Sequence, residues 1–356
     1  MRRRSNQLND SHVEGRVIQL NNQFGLDHLC EKIQPLGIVQ PKQVKVKISH
    51  SALNYRDLMM VEGLYNPRQL LPLIPCSDGV GRVVELGANS SWELGQRVMP
   101  IFSQGWLDGE PTELITQTTL GGPLQGTLRQ HAIFDDHGLV PVPDYLTDRE
   151  AATLGCAALT AWSALVELGK IVSGVRVLCI GTGGVSLFAT QIAASLGAEV
   201  LLISRSQQKL DQVWAHPHFV PFKEKVIPIH TPKDVAWGKM IKKNYGQVDH
   251  IIEVGGAGTL TESLKVVRPG GCISLIGVLS GGKGKINLTP VLMRQIRIQG
   301  VIVGHKAGFL RMLKAFEKAQ IRPIISDEKF TLSDAKGAFS FLKSAKHIGK
   351  IVIDHQ

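Results

Sequence analysis

A glycine-rich turn near the middle of the chain has the residue types and spacing of a phosphate-binding loop. The apolar run Val175–Ile180 predicts a buried strand, and Gly181, Gly183 and Gly184 follow it closely. Glycines at such a turn let the backbone bend tightly and approach an anion. Val185 then opens a predicted helix, whose free N–H groups and positive dipole end would face that anion. The segment therefore predicts a pyrophosphate-binding site.

The next predicted strand indicates which nucleotide this site would bind. The usual third glycine of the fingerprint is replaced by the small Ser186. Twenty positions after Gly184, the strand ends in Ser204 and Arg205. An acid there would bind the ribose hydroxyls of NAD, whereas a cation favours the 2′-phosphate of NADP. With Lys209 one helical turn further on, the segment predicts NADP(H) as the cofactor.

Composition and charge exclude several classes of protein. Of 356 residues, 43% are hydrophobic, but about eighteen apolar residues never run together, so no membrane span is expected. The basic start Met1–Arg4 lacks a following apolar segment, so a secretory signal is not expected.

The formal net charge is +10, but the cations are spread along the chain without interleaved aromatic residues. We therefore expect no nucleic-acid partner. An anionic cofactor accounts for part of the charge.

The cysteines indicate a reducing compartment. They are Cys30, Cys76, Cys156, Cys179 and Cys272, widely spaced and mostly within apolar runs. This usage is typical of reduced thiols in a cytoplasmic protein. No Cys-x-x-Cys pair is present, so we expect no structural zinc lobe.

The first 150 residues or so have the pattern of a β-rich domain. Short apolar runs bounded by turn residues predict strands at 44–49, 79–87, 95–100 and 128–134. A long loop follows from 103 to 126, and loops of that length are usually functional or mobile.

After residue 151, strand and helix patterns alternate, which predicts a parallel sheet. Strands are expected near 175–180, 199–204, 226–229, 249–254 and 271–278, with an edge strand at 297–303. A helix is expected at 308–319. The run 349–354 predicts a strand that returns to the first domain.

Several motifs together resemble the medium-chain dehydrogenase/reductase superfamily over essentially the whole chain. They are Ala52–Asp57, Gly79–Gly87, Gly95–Val98, Gly126–Leu128, Gly155–Trp162, Gly181–Val185, Arg268–Gly271 and Gly349–Val352. The resemblance implies an α/β fold in which a Rossmann-type, doubly wound parallel sheet domain accompanies a GroES-like, β-rich catalytic domain. It implies a catalytic domain at 1–152, an NADP-binding domain at 153–303, and a C-terminal return to the catalytic domain at 304–356.

The positions of the family's catalytic zinc ligands are mostly altered. Asn54 stands at the first ligand position, Ser77 replaces the histidine, and Cys156 remains at the third. Catalytic zinc needs three protein ligands, so we expect no metal. Cys76, next to the replaced histidine, is interpreted as a small buried apolar residue. The chain therefore resembles the zinc-free, NADPH-dependent branch that includes quinone oxidoreductases and enone reductases.

Without a metal, hydride transfer must depend on positioning and hydrogen bonds. The resemblance implies transfer to the β-carbon of a quinone or an α,β-unsaturated carbonyl, with Asn54 and Tyr55 facing the nicotinamide. The Tyr55 hydroxyl is the candidate proton donor to the acceptor oxygen, with bulk water as the alternative. Asn54 would orient the ring or the ribose. Asp57 is expected to pair with Arg56 or to cap the following helix.

Further cofactor contacts are implied at three places. Thr160 would contact the nicotinamide side, although a core threonine bonded to a backbone carbonyl is the alternative. The pairs Val254–Gly255 and Gly277–Val278 fall at the ends of predicted strands, where parallel sheets bind ligands. The lone His305 is interpreted as structural.

Two other functions remain open on the sequence alone. One is an NADP-linked alcohol or aldehyde dehydrogenase that takes its acid from Tyr55. The other is a non-catalytic NADPH-binding sensor whose positive charge contacts nucleic acid. By analogy with the family we also expect a homodimer, paired through the edge strand at 297–303.

Overall fold

The computed structural model describes residues 14–233 and 235–355. Its first part is rich in β-structure, as the sequence predicts. The strands and helices are β1 (Glu14–Leu20), β2 (Leu29–Pro35), β3 (Gln43–Leu53), α1 (Tyr55–Val61), β4 (Asp78–Leu86), β5 (Arg97–Pro100), α2 (Leu114–Gln117), β6 (His131–Asp135), β7 (Leu139–Pro141), α3 (Asp148–Ala151) and α4 (Leu159–Trp162). Wider, π-type helical turns at Leu154–Ala158 and Ser163–Glu167 flank α4.

The second part alternates strands and helices. These are β8 (Arg176–Ile180), α5 (Gly184–Ser195), β9 (Glu199–Ser204), α6 (Gln207–Ala215), β10 (Val226–His230), α7 (Trp237–Tyr245), β11 (Val248–Glu253), α8 (Ala257–Val266), β12 (Val267–Leu275), α9 (Thr289–Met293), β13 (Arg297–Gly300), α10 (Lys306–Ala319), β14 (Phe330–Thr331), α11 (Ala335–Ser344) and β15 (Ile351–Asp354).

The second part forms a six-stranded parallel sheet in the order β10-β9-β8-β11-β12-β13. The order reverses beside β8, as in doubly wound nucleotide-binding sheets, and ligands bind outside the carboxyl ends of strands at such a point. The predicted α/β fold is confirmed, and β13 is the predicted edge strand.

The strand predicted at 271–278 needs correction, because β12 begins at Val267 and ends at Leu275. The pairing of β11 with β12 shifts between Val248 and His250. The turn residues Pro269–Gly271, with Gly270 at φ +69°, are thus accommodated within the strand as an irregularity. Gly277 and Val278 consequently lie in the loop beyond its end.

The first sheet is completed by residues far along the chain. Its order is β14-β15-β3-β4-β5-β7, and β6 also pairs with β3. Strand β15 runs antiparallel to β3, with Ile351 opposite Leu53 and Asp354 opposite His50. The predicted return of the chain to the first domain is therefore confirmed.

The long loop at 103–126 contacts the helix that follows the nucleotide-type sheet. The carbonyls of Trp106 and Leu107 accept hydrogen bonds from the first two N–H groups of α10. The Nδ1 atom of His305 accepts a further bond from Gly308 at 2.9 Å. His305 therefore caps α10, in line with its structural interpretation.

Candidate active site

A cleft of about 830 Å³ runs along the carboxyl ends of strands β8, β9, β11 and β12. The start of α1 and the segment between α11 and β15 also line it. Most of the predicted site residues line it: Asn54, Tyr55, Gly181, Gly183, Gly184, Val185, Ser204, Arg205, Lys209, Val254, Gly255, Gly277 and Val278. The sequence-predicted residues at the ends of four strands and at the start of α1 thus meet in one space.

The glycine-rich loop has room for an anion at the start of α5. Gly181 has φ +85°, a conformation that favours glycine. A Cβ atom added to Gly183 would meet no protein atom within 4 Å, so that side of the loop faces open space. The helix begins at Gly184 without a side-chain cap, which leaves N–H groups for a ligand. The hydroxyl of Ser186 donates to the Ile180 carbonyl at 2.6 Å, so this serine joins the helix to the strand.

The far end of the cleft is polar and positively charged. Arg205 is exposed, and Ser204 beside it is buried and accepts a hydrogen bond from the Ser206 N–H. The Lys209 ammonium donates to the Ala345 carbonyl, across the cleft from its own helix. The neighbouring strand adds two residues that the sequence reasoning missed, Thr231 and Lys233. Their position just after a strand beside β9 was the signal that could have found them.

The loop after β11 is held in place by the buried carboxylate of Glu253. It accepts from the Gly255 N–H at 2.8 Å and from the Thr259 hydroxyl at 2.5 Å. A Cβ atom on Gly277 would lie 2.5 Å from the Val254 carbonyl oxygen, so glycine is required there for the two loops to approach each other.

A lysine occupies the region that corresponds to the family's metal position. The Lys350 ammonium, 3% exposed, donates to the Asn54 Oδ1 at 2.5 Å and to the Leu53 carbonyl at 2.9 Å. It also lies 3.3 Å from the Asp78 carboxylate. The Asn54 amide nitrogen donates to Asp78 at 2.9 Å and lies 3.4 Å from the Ser77 hydroxyl. The polar atoms of Asn54 are therefore bonded within the protein.

Burial dominates the titration of this cluster. Burial raises the pKa of both Asp57 and Asp78. The nearby Arg56 opposes this rise at Asp57, and Lys350 opposes it at Asp78. Asp57 also accepts from the Asn54 backbone N–H at 2.8 Å and pairs with Arg56 at 3.2 Å, so both expected roles of Asp57 are present. Burial raises the pKa of the Cys156 thiol, which favours its protonated form.

These residues do not fit a catalytic zinc ion. An amide, a hydroxyl and a thiol with a raised pKa stand where a catalytic zinc ion needs three protein ligands. An ammonium ion lies among them, and its charge repels a cation. Within residues 14–233 and 235–355, no group of three or more His, Cys, Asp or Glu side chains could hold a metal.

The wall beside Tyr55 is aromatic. Tyr55 is 42% exposed and stands at the mouth of the cleft. Arg56 lies between the rings of Tyr65 and Phe102, 5.1 and 5.2 Å from their centroids. It also donates to the Leu120 carbonyl at 2.7 Å, which connects this wall to the long loop.

Thr160 is not among the residues that line the cleft. It is 3% exposed, and its hydroxyl donates to the Cys156 carbonyl at 2.7 Å. The structure therefore agrees with the alternative interpretation, in which Thr160 is a core residue whose hydroxyl is hydrogen-bonded to a backbone carbonyl. Lys350 and His347, which do line the cleft, were missed. The charged residue in Gly349–Val352 was the available signal for Lys350.

The comparisons with known proteins agree with this geometry. Residues 40–144 match the model of the alcohol dehydrogenase GroES-like domain, and residues 184–318 match the model of the zinc-binding dehydrogenases. Two sheets with a nucleotide-type cleft between them thus define a dehydrogenase of two domains. The chain belongs to the medium-chain dehydrogenase/reductase superfamily and has relatives of the quinone oxidoreductase type.

Three similar proteins illustrate the range of the family. A zinc-type alcohol dehydrogenase-like protein of Schizosaccharomyces pombe is 36% identical over 88% of this chain and 91% of its own. The quinone oxidoreductase of Homo sapiens is 25% identical over 93% of this chain and 95% of its own. The crystal structure of a Sinorhizobium meliloti protein assigned as an alcohol dehydrogenase superposes with a TM-score of 0.86 and 32% identity, covering 96% and 99% of the two chains. The relatives are oxidoreductases, and one solved structure of this fold holds NADP.

Proposed function

We propose that this protein is a zinc-independent, NADPH-dependent reductase of quinones, enones or related conjugated carbonyls. The observation that carries the proposal is the Lys350 ammonium, which bonds to Asn54 and Asp78 in the metal region and leaves no open ligand position there. Carbonyl activation in this cleft then depends on hydrogen bonds, and conjugated acceptors need less activation than isolated carbonyls because their developing charge is delocalised.

We expect the cleft to hold a dinucleotide that carries a 2′-phosphate. The loop Gly181–Gly184 would hold the pyrophosphate, while Ser204, Arg205 and Lys233 would surround the adenosine phosphate. The loops at Gly255 and Gly277 would border the nicotinamide half. When bound, NADPH supplies a hydride to the β-carbon of the acceptor, which leaves negative charge on the acceptor oxygen.

Tyr55 is the residue that we expect to donate to the acceptor oxygen. Tyr55 is partly exposed and lines the cleft, and a phenol can donate a hydrogen bond or a proton to an oxyanion. Asn54 cannot take this role without giving up its bonds to Lys350 and Asp78. We therefore assign Asn54 to positioning the start of α1, and Tyr55 to the acceptor.

The proposal is tested by following NADPH oxidation with a quinone, an enone and a saturated aldehyde. We expect turnover with the first two, no stoichiometric zinc in the purified protein, and no inhibition by a chelator. Turnover of the aldehyde alone would instead support the alcohol dehydrogenase alternative, which the names of two relatives favour. Turnover that a chelator abolishes would contradict a zinc-free site. Tight NADPH binding without turnover, together with salt-sensitive binding of nucleic acid, would support the sensor alternative.

We also propose a homodimer of a cytoplasmic protein. The edge strand β13 is largely exposed, and Leu288, Leu292 and Met293 nearby are at least 65% exposed. All five cysteines are free, and none of the helices in the described ranges is long and apolar enough to cross a bilayer. Light scattering on the wild type and on Leu292→Lys would test the dimer, since a monomer in both would contradict it.

A further inference from the structure

The segment between α11 and β15 closes one side of the nucleotide cleft, and it carries a histidine. His347, Gly349 and Lys350 all line the cleft together with the glycine-rich loop. The Gly349 N–H donates to the Thr182 carbonyl at 2.9 Å, and Gly349 pairs with Gly183 as in a parallel bridge. The segment therefore lies directly beside the loop where the pyrophosphate would bind.

The close approach is built into this segment. Gly349 has φ +58°, and a Cβ atom there would lie 2.0 Å from the Ile324 carbonyl oxygen, so only glycine fits. A Cβ on Gly184 would lie 2.6 Å from the Lys350 side chain, which crosses the first residue of α5. These contacts hold the chain two and three residues after His347 against the start of α5.

The imidazole of His347 has unsatisfied hydrogen-bonding capacity. Its Nδ1 is buried without a partner in the described part of the chain, and its ring lies 6.1 Å from the Phe341 ring. The charged groups that face it are Lys209 of α6, Lys350 before β15 and Glu328. Burial and the two lysines lower the pKa of His347 to about 4, while Glu328 acts in the opposite direction. Before a nucleotide binds, the imidazole is therefore neutral at neutral pH.

We propose that His347 binds the pyrophosphate of the dinucleotide and takes up a proton when the nucleotide enters. This inference rests on the proposed function, because it requires a pyrophosphate at the start of α5. An anion close to the imidazole favours the charged form, so the pKa of His347 rises on binding. A protonated imidazole then donates a charge-assisted hydrogen bond to the phosphate. Binding therefore strengthens as the pH falls through the pKa of the complex and on towards the pKa of the free protein.

The test is titration calorimetry of NADPH at pH 6.5 in two buffers of different ionisation enthalpy. The slope between buffers gives the number of protons taken up, and we expect the wild type to take up roughly half a proton more than His347→Asn. The 2′-phosphate of NADPH titrates near pH 6 itself, but this contribution is common to both proteins. With NADH, which lacks that phosphate, the difference between the proteins should persist.

Two further variants complete the experiment. His347→Lys carries a fixed charge, so it should bind NADPH at pH 8.5 at least as tightly as the wild type, with no extra proton uptake. His216→Asn makes the same substitution at a half-buried histidine outside the cleft lining, and it should match the wild type. Melting curves establish that each variant is folded. We expect His347→Asn to bind roughly tenfold more weakly than the wild type at pH 6, and about equally at pH 8.5.

The outcomes separate this inference from the proposed function. Equal proton uptake by the wild type and His347→Asn, with nucleotide bound to both, would overturn the role of His347 alone. A difference that appears with NADPH but not with NADH would overturn the assignment to the pyrophosphate. If none of the proteins binds either nucleotide, the proposed function fails as well.

Discussion

Two of the cations that line the cleft are in opposite situations. Arg205 is exposed at the adenosine end, and its guanidinium makes no hydrogen bond or ion pair within residues 14–233 and 235–355. Lys350 is buried at the other end, where three oxygen atoms of the protein surround its ammonium. The difference distinguishes a ligand-binding charge from a structural one. A cation without a partner in the described part of the chain, such as Arg205, is available to a ligand, whereas a cation bonded to protein oxygens, such as Lys350, stabilises the packing of its own elements.

The largest effect is expected from Lys350→Met. The substitution leaves the buried Asp78 without its cation, and breaking a buried pair in this way costs about 3–5 kcal/mol. Chemical denaturation should therefore show a much lower free energy of unfolding. The double variant Lys350→Met/Asp78→Asn removes both charges and should recover part of the loss. A single variant as stable as the wild type would show that the ammonium is not structural.

A smaller effect, on turnover, is expected from Tyr55→Phe. If the acceptor oxygen takes its proton from this hydroxyl, kcat should fall about a hundredfold, with little change in KM for the acceptor. Tyr65→Phe is the matched control, because the Tyr65 ring packs against Arg56 and that contact is kept. Full activity of Tyr55→Phe would assign the proton to bulk water.

The smallest of the three effects concerns cofactor choice. Arg205→Asp should lower the preference for NADPH over NADH by about tenfold to a hundredfold, because a charge-assisted bond to the 2′-phosphate becomes a repulsion. The ratio of the two Kd values measures this. Lys225→Asp, an exposed lysine outside the cleft lining, makes the same change of charge at a distance and should leave the ratio unaltered. An unchanged ratio in Arg205→Asp would count against the phosphate pocket.

The same comparison explains which parts of the molecule the sequence could predict. The glycine-rich loop and Arg205 lie within thirty residues of each other, and their strand, turn and helix signals are local. The strands of the parallel sheet were predictable for the same reason. The start of β12 was not predictable, because Pro269–Gly271 is typical of a turn, whereas the structure accommodates it within the strand by an irregular pairing.

The buried cluster was beyond sequence reasoning because its members come from distant segments. Lys350 and Leu53 are 297 positions apart, and no local pattern connects them. Thr160 shows a related limit, since a helical pattern places the residue but does not decide whether its hydroxyl faces a ligand or the carbonyl four residues earlier.

The late position of β15 has a consequence for biosynthesis. The parallel sheet is built from strands between Arg176 and Gly300, so it can assemble as soon as that stretch has left the ribosome. Strand β3 emerges much earlier, but the edge that β15 covers stays unpaired until residues 351–354 have been made. During this interval a growing chain exposes a β-edge to aggregation, and chaperones have a defined segment to protect.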